Sequence, residues 1–177
     1  AGSVTEHVVR RAEIPVLTVQ ANERTESAGG YDEILVPTDG SDAAGAAVDH
    51  GLEVARAADA RVHAVTVLDT GDMAASPTLR PPTEVMKQLE TERQNATDEI
   101  AARAREDGLA ATSVVLEGQP ERELLEYIDD HEIDLVVMGT HGRSGIDRLL
   151  LGSTTERLLR HASAPILAVT PSEEDDD

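Results

Sequence analysis

A chain of 177 residues, 40% of them hydrophobic, can bury one core, which Val, Leu, Ile and Ala must fill because Phe and Trp are absent. Without cysteine there are neither disulfides nor thiolate metal sites, and no run approaches the ~18 apolar residues of a membrane span. Thirty-five acidic against fifteen basic residues leave a net charge of −20, a field that repels nucleic acid and anionic membranes.

Nothing at the start resembles a signal peptide, so a cytoplasmic location is expected. Lys87 is the only lysine among the bases, and the acid is spread along the whole chain. That pattern suits molar salt, where screening shortens self-repulsion to about 3 Å. A halophilic habitat is therefore expected.

In chain order, residues 2–20 read as a helix (Val4–Ala12) and a strand (Ile14–Val19). Residues 152–170 read the same way, and the two segments align at an offset of 150 with nine identities and no gap. The N-terminal piece, 1–20, therefore reads as the truncated end of a preceding repeat. Polar residues 21–30 end in two glycines and read as a linker. The complete unit is expected over 31–171, followed by an acidic tail at 172–177.

Within that unit, Glu33–Pro37 reads as a strand and Thr38–Ser41 as a turn. Asp42–Ala58 carries apolar residues at helical spacing, with Ser41 or Asp42 as N-cap. Arg61–Leu68 is a strand. Asp69–Thr83, with three prolines and no period, is a loop. A charged helix over Glu84–Asp107 is stopped by Gly108. Thr112–Leu116 is a strand, Glu117–Pro120 a turn, and Pro120–His131 a helix with Pro in its first turn. Leu135–Met138 is a buried strand, Thr154–His161 a helix and Pro165–Thr170 the last strand.

The alternation βαβαβαβαβ with mostly apolar strands predicts a doubly wound parallel sheet covered by helices on both faces. Ligands of such sheets bind beyond the carboxyl ends of the strands, where the winding reverses. Asp39 follows one strand, and Gly139-Thr140-His141-Gly142-Arg143 follows another. Glycine lets backbone approach a ligand closely. Gly152-Ser153, with nine residues between Gly142 and Gly152, opens a helix whose first N–H groups favour an anion. Two glycine turns so placed could hold the sugar and phosphates of one nucleotide.

These residues resemble the universal stress protein family over 31–170. The resemblance rests on Ile34–Ser41, Val65–Asp69, Val137–Arg143, Gly152–Glu156 and Ala164–Val169. Gly139, Gly142, Gly152 and Ser153 fill the pattern Gly-x2-Gly-x9-Gly-Ser/Thr of its ATP-binding branch. The resemblance implies a five-stranded sheet of order 3-2-1-4-5 and a site for ATP, AMP or ADP. Asp39 would then lie near adenine and ribose, with Pro37 and Thr38 lining the approach. Val67 would offer main-chain hydrogen bonds to the base. Gly139 and Gly142 would border ribose and the α-phosphate, Gly152, Ser153 and Thr154 would bind the outer phosphates, and Met138, His141 and Arg143 would belong to the same site, Arg143 either neutralising phosphate or forming a surface ion pair. A homodimer through the last strand is also implied. The N-terminal strand would join it, pairing with the last strand of its own or of a partner chain.

Mg²⁺ between phosphates and Asp39 would suit that ion's preference for few carboxylates plus phosphate oxygens, although nothing in the sequence demands it. A Ser41–His141–Asp39 hydrolase lacks a Gly-x-Ser-x-Gly elbow. The other histidines show no metal-ligand spacing. With no Walker lysine motif, the expected function is a nucleotide-dependent stress or signalling module rather than an enzyme. A slow ATPase or nucleotidyl-transferring enzyme on the same fold is the alternative.

Overall fold

A computed structural model describes residues 3–20, 30–69, 83–141 and 151–170. The expected linker up to residue 29, most of the 69–83 loop, the acidic tail, Gly142 and Arg143 lie outside the described residues. The elements in order are α1 (Ser3–Arg11), β1 (Val16–Thr18), β2 (Glu33–Pro37), α2 (Asp42–Ala58), β3 (Arg61–Asp69) and α3 (Thr83–Glu106). They continue with β4 (Ala111–Gly118), α4 (Pro120–Asp130), β5 (Leu135–Gly139), α5 (Ser153–His161) and β6 (Ile166–Val169).

One sheet runs β1-β6-β5-β2-β3-β4. Strands β2 to β6 are mutually parallel. Taken alone they follow the expected order 3-2-1-4-5. The sheet has six strands rather than five because β1 adds to its edge, antiparallel to β6, with Leu17 opposite Leu167. The last strand is therefore paired on both sides within one chain, and this arrangement leaves β6 no free edge for a partner subunit.

The strands are apolar on both faces because helices cover both faces. Period-2 alternation divides their side chains between two layers. Ile34 and Val36 of β2 and Val62 and Ala64 of β3 pack with Leu52 of α2 and Ile100 of α3. Leu35 and Val65 face the other way, against Leu124 and Ile128 of α4 and Leu158 of α5. Val9 of α1 joins this second layer.

Local signals end the helices where expected. Ser41 caps α2, its side chain accepting from the Ala44 N–H, and Gly108 follows α3 at φ 81°, a conformation that suits glycine. Several boundaries differ by a residue or two from the sequence expectation, β1 for example covering Val16–Thr18 rather than Ile14–Val19. β4 runs on to Gly118 instead of ending at Leu116, because β3 is nine residues long and pairs Leu68 with Glu117 and Asp69 with Gly118. The turn expected from Glu117 is thereby absorbed into the sheet.

Candidate nucleotide cleft

At the carboxyl edge of the strands the parallel ladder opens. β2 stops at Pro37, opposite Val65, whereas β3 continues to Asp69. The Thr38 N–H donates to the Val65 carbonyl at 2.9 Å, so Val65 directs its main-chain groups toward β2. In a parallel strand the residue two places on points the same way. Val67 therefore turns its N–H and C=O toward the edge that β2 has vacated, where no strand among the described residues pairs with them, a donor–acceptor pair that suits a flat heteroaromatic ring. Thr66, between them, faces β4.

The turn after β2 is held internally. The Asp39 carboxylate accepts from the Ser41 N–H at 3.0 Å and from the Ser41 hydroxyl at 2.5 Å. The Gly40 N–H donates to Thr38 Oγ1 at 3.0 Å, with Gly40 at φ 73°. From the opposite wall, Arg93 of α3 donates to the Asp39 carbonyl. The turn thus carries both a carboxylate and a guanidinium at the mouth of the sheet.

Across the cleft, α5 begins beside the end of β5. The Gly152 N–H donates to the Thr140 carbonyl at 2.9 Å, and Thr155 Oγ1 donates to the Gly139 carbonyl at 3.0 Å. These two bonds fix the first turn of α5 against the glycine that ends β5. The residue at the N-cap position is Gly152, which brings no side-chain cap. Ser153, a good N-cap on sequence grounds, is instead the first helical residue. The leading N–H groups of α5 have no carbonyl four residues back, and the positive end of the helix dipole lies with them. An anion placed there would meet donors with no competing cap.

Together these elements enclose a cleft of about 410 Å³. Ten of the twelve residues singled out from the sequence line it: Pro37, Thr38, Asp39, Val67, Met138, Gly139, His141, Gly152, Ser153 and Thr154. Gly142 and Arg143 belong to the segment outside the described residues. His141 is half-buried, with Nδ1 2.8 Å from Thr140 Oγ1.

Asp69, Leu89, Arg93 and Thr155 also line the cleft and were not singled out from sequence. Leu89 and Arg93 come from α3, whose charged pattern does not tell which residue meets a site. Their spacing of four, on one helix face, is the signal that was there to read. No group of three or more His, Asp or Glu side chains suited to a metal occurs among the described residues. A divalent cation would have to draw most of its ligands from phosphate and water, with Asp39 or Asp69 within the cleft.

The profile of the universal stress protein family matches residues 30–170. A universal stress protein of Methanocaldococcus jannaschii is 36% identical over 139 residues, covering 78% of this chain and 82% of its own length. A solved universal stress protein in complex with cAMP is similar at 25% identity and a TM-score of 0.57, covering 80% of this chain and 98% of that one. A longer Archaeoglobus fulgidus universal stress protein shares the fold at 21% identity and a TM-score of 0.69. It covers 98% of this chain, which spans 55% of it.

Proposed function

The chain belongs to the universal stress protein family, and on that premise we propose that it binds an adenine nucleotide, ATP foremost, as a nucleotide-dependent stress or signalling module. The observation that carries this is the pairing of two ends in one cleft. The vacated edge at Val67 suits the base, and the uncapped first turn of α5 suits the phosphates. Asp39 lines the same cleft, where ribose hydroxyls would donate to its carboxylate. The cAMP complex of a relative supports the choice of an adenine nucleotide.

ATP is favoured over AMP because Gly152, Ser153 and Thr154 form a second phosphate cradle beyond Gly139. Arg93, already engaged with the Asp39 carbonyl, fixes the turn rather than reaching for phosphate. Mg²⁺ would bridge phosphate oxygens and need one carboxylate at most. Binding rather than turnover is the output proposed, since no Walker lysine motif accompanies the glycine frame.

Titration calorimetry with ATP, ADP, AMP and cAMP, followed by product analysis after long incubation with Mg²⁺, tests the proposal. Saturable ATP binding without product is expected. Absence of binding by any of the four would overturn it, and turnover would replace it with the slow ATPase reading.

A further inference from the structure

The packing stripe of α3 is longer than the sheet beneath it. The helix runs for 24 residues. Val85, Leu89, Arg93, Thr97, Ile100 and Ala104 follow one another at steps of three or four and so share one face. Thr97, Ile100 and Ala104 are buried, the last two against Val62 and Ala64 of β3. Among the described residues of the helix, none before Thr97 is buried. The last turns of α3 thus lie over the start of β3. Its first turns overhang the end of that strand, where Leu89 and Arg93 line the cleft. Leu89 is 37% exposed there.

The two residues meet different parts of the cleft. Arg93 donates to the Asp39 carbonyl. Both Ser41 bonds of Asp39 go to Oδ1. They orient the carboxylate within its own turn, whereas Arg93 fixes that turn to the helix layer above it. A guanidinium is a planar, rigid fork of donors, suited to hold a carbonyl in place. Leu89 contributes apolar surface instead. A ring bonded to the Val67 main chain would lie in the plane of the sheet, as a further strand would, because ladder bonds lie in that plane. Its two faces then look toward the two helix layers. Leu89 of α3 lines the cleft from one layer, Pro120 and Leu124 of α4 from the other.

We propose that the overhanging half of α3 belongs to the nucleotide site. Leu89 covers one face of the base, and Arg93 is a positioning residue that sets the Asp39 carboxylate for the ribose hydroxyls. The proposal rests on the adenine-nucleotide reading of the cleft and extends it to a helix outside the glycine frame.

The full chain is titrated by calorimetry with ATP and with 2′,3′-dideoxy-ATP, which keeps base and phosphates and lacks the ribose hydroxyls. The wild type should bind ATP at least about tenfold more tightly, as hydrogen bonds to a carboxylate warrant. In Arg93→Met, which keeps length and loses the donors, that ratio should shrink to about threefold or less. Arg93→Lys, which still donates to a carbonyl, should recover most of it. Leu89→Ala should weaken both nucleotides alike, by about three- to tenfold, because both carry the base. It should do so without lowering the melting temperature, since exposed substitutions rarely matter. Equal weakening of both nucleotides in Arg93→Met would reduce Arg93 to a structural role and overturn the proposal. So would a wild type that does not discriminate between the two, or unchanged affinities in Leu89→Ala. Those results leave ATP binding by the wild type standing. A wild type that binds neither nucleotide overturns the binding reading itself, and the proposal with it.

Discussion

Replacing Thr155 by Val tests the link between fold and cleft at one atom. Thr155 is almost fully buried, and its hydroxyl donates to the Gly139 carbonyl at 3.0 Å, tying the first turn of α5 to the end of β5. Valine keeps the volume and deletes the donor. The lost bond costs about 1 kcal/mol, and a buried carbonyl deprived of a partner adds about another. About 2 kcal/mol corresponds to a fall in melting temperature of roughly 4–8 °C for a protein of this size. If the clamp also sets the α5 N–H groups at phosphate distance, ATP affinity should fall about tenfold, the equivalent of 1.4 kcal/mol. Differential scanning fluorimetry reads the first effect and calorimetric titration the second. Thr155→Ser, which keeps the hydroxyl, should restore the affinity. A lowered melting temperature with unchanged ATP affinity would refute the role of the clamp in the cradle. No change in either would refute the bond itself.

Three other expectations follow from the packing and the ion pairs. A Cβ on Gly51 would lie 2.8 Å from Val36 Cγ2, between α2 and the central strand. Gly51→Ala should therefore destabilise by about 1–3 kcal/mol despite alanine's better helix propensity, read by urea unfolding. Burial, and then the charge of Glu33, pushes the Tyr127 phenol up from its ordinary value of 10.0, beside a 2.8 Å contact to His63 Nδ1. A raised folded pKa gives stability that is complete below pH 10 and lost as pH rises through the folded value. Alkaline melting curves should show that loss for the wild type and not for Tyr127→Phe. The Arg160 guanidinium holds the Glu6 carboxyl below its ordinary 4.5. This contribution is present above 4.5 and lost as pH falls through the depressed value. Acid should therefore raise the exchange of α1 amides in the wild type, whereas in Glu6→Gln it should be raised already at neutral pH.

The glycine spacing is local, so Gly139, Gly152 and Ser153 were legible, because strand, turn and helix start lie within fifteen residues of one another. The order of the parallel strands was legible too, since apolar runs alternating with amphipathic helices admit few windings. Arg93 and Leu89 were not. They lie fifty or more residues from Asp39 in sequence, and only the packing of α3 over β3 brings them to the same cleft.

The chain by itself determined the strand-and-helix alternation, the two glycine turns and the 150-residue repeat, because each is written in periodicity or spacing within one segment. Tertiary structure decided what no segment contains. The unequal lengths of β2 and β3 leave the Val67 main chain open, and the closure of β6 by β1 takes up the edge expected to pair subunits. Ladder partners and exposed faces depend on which elements become neighbours, and that is settled by packing across the sheet rather than along the chain.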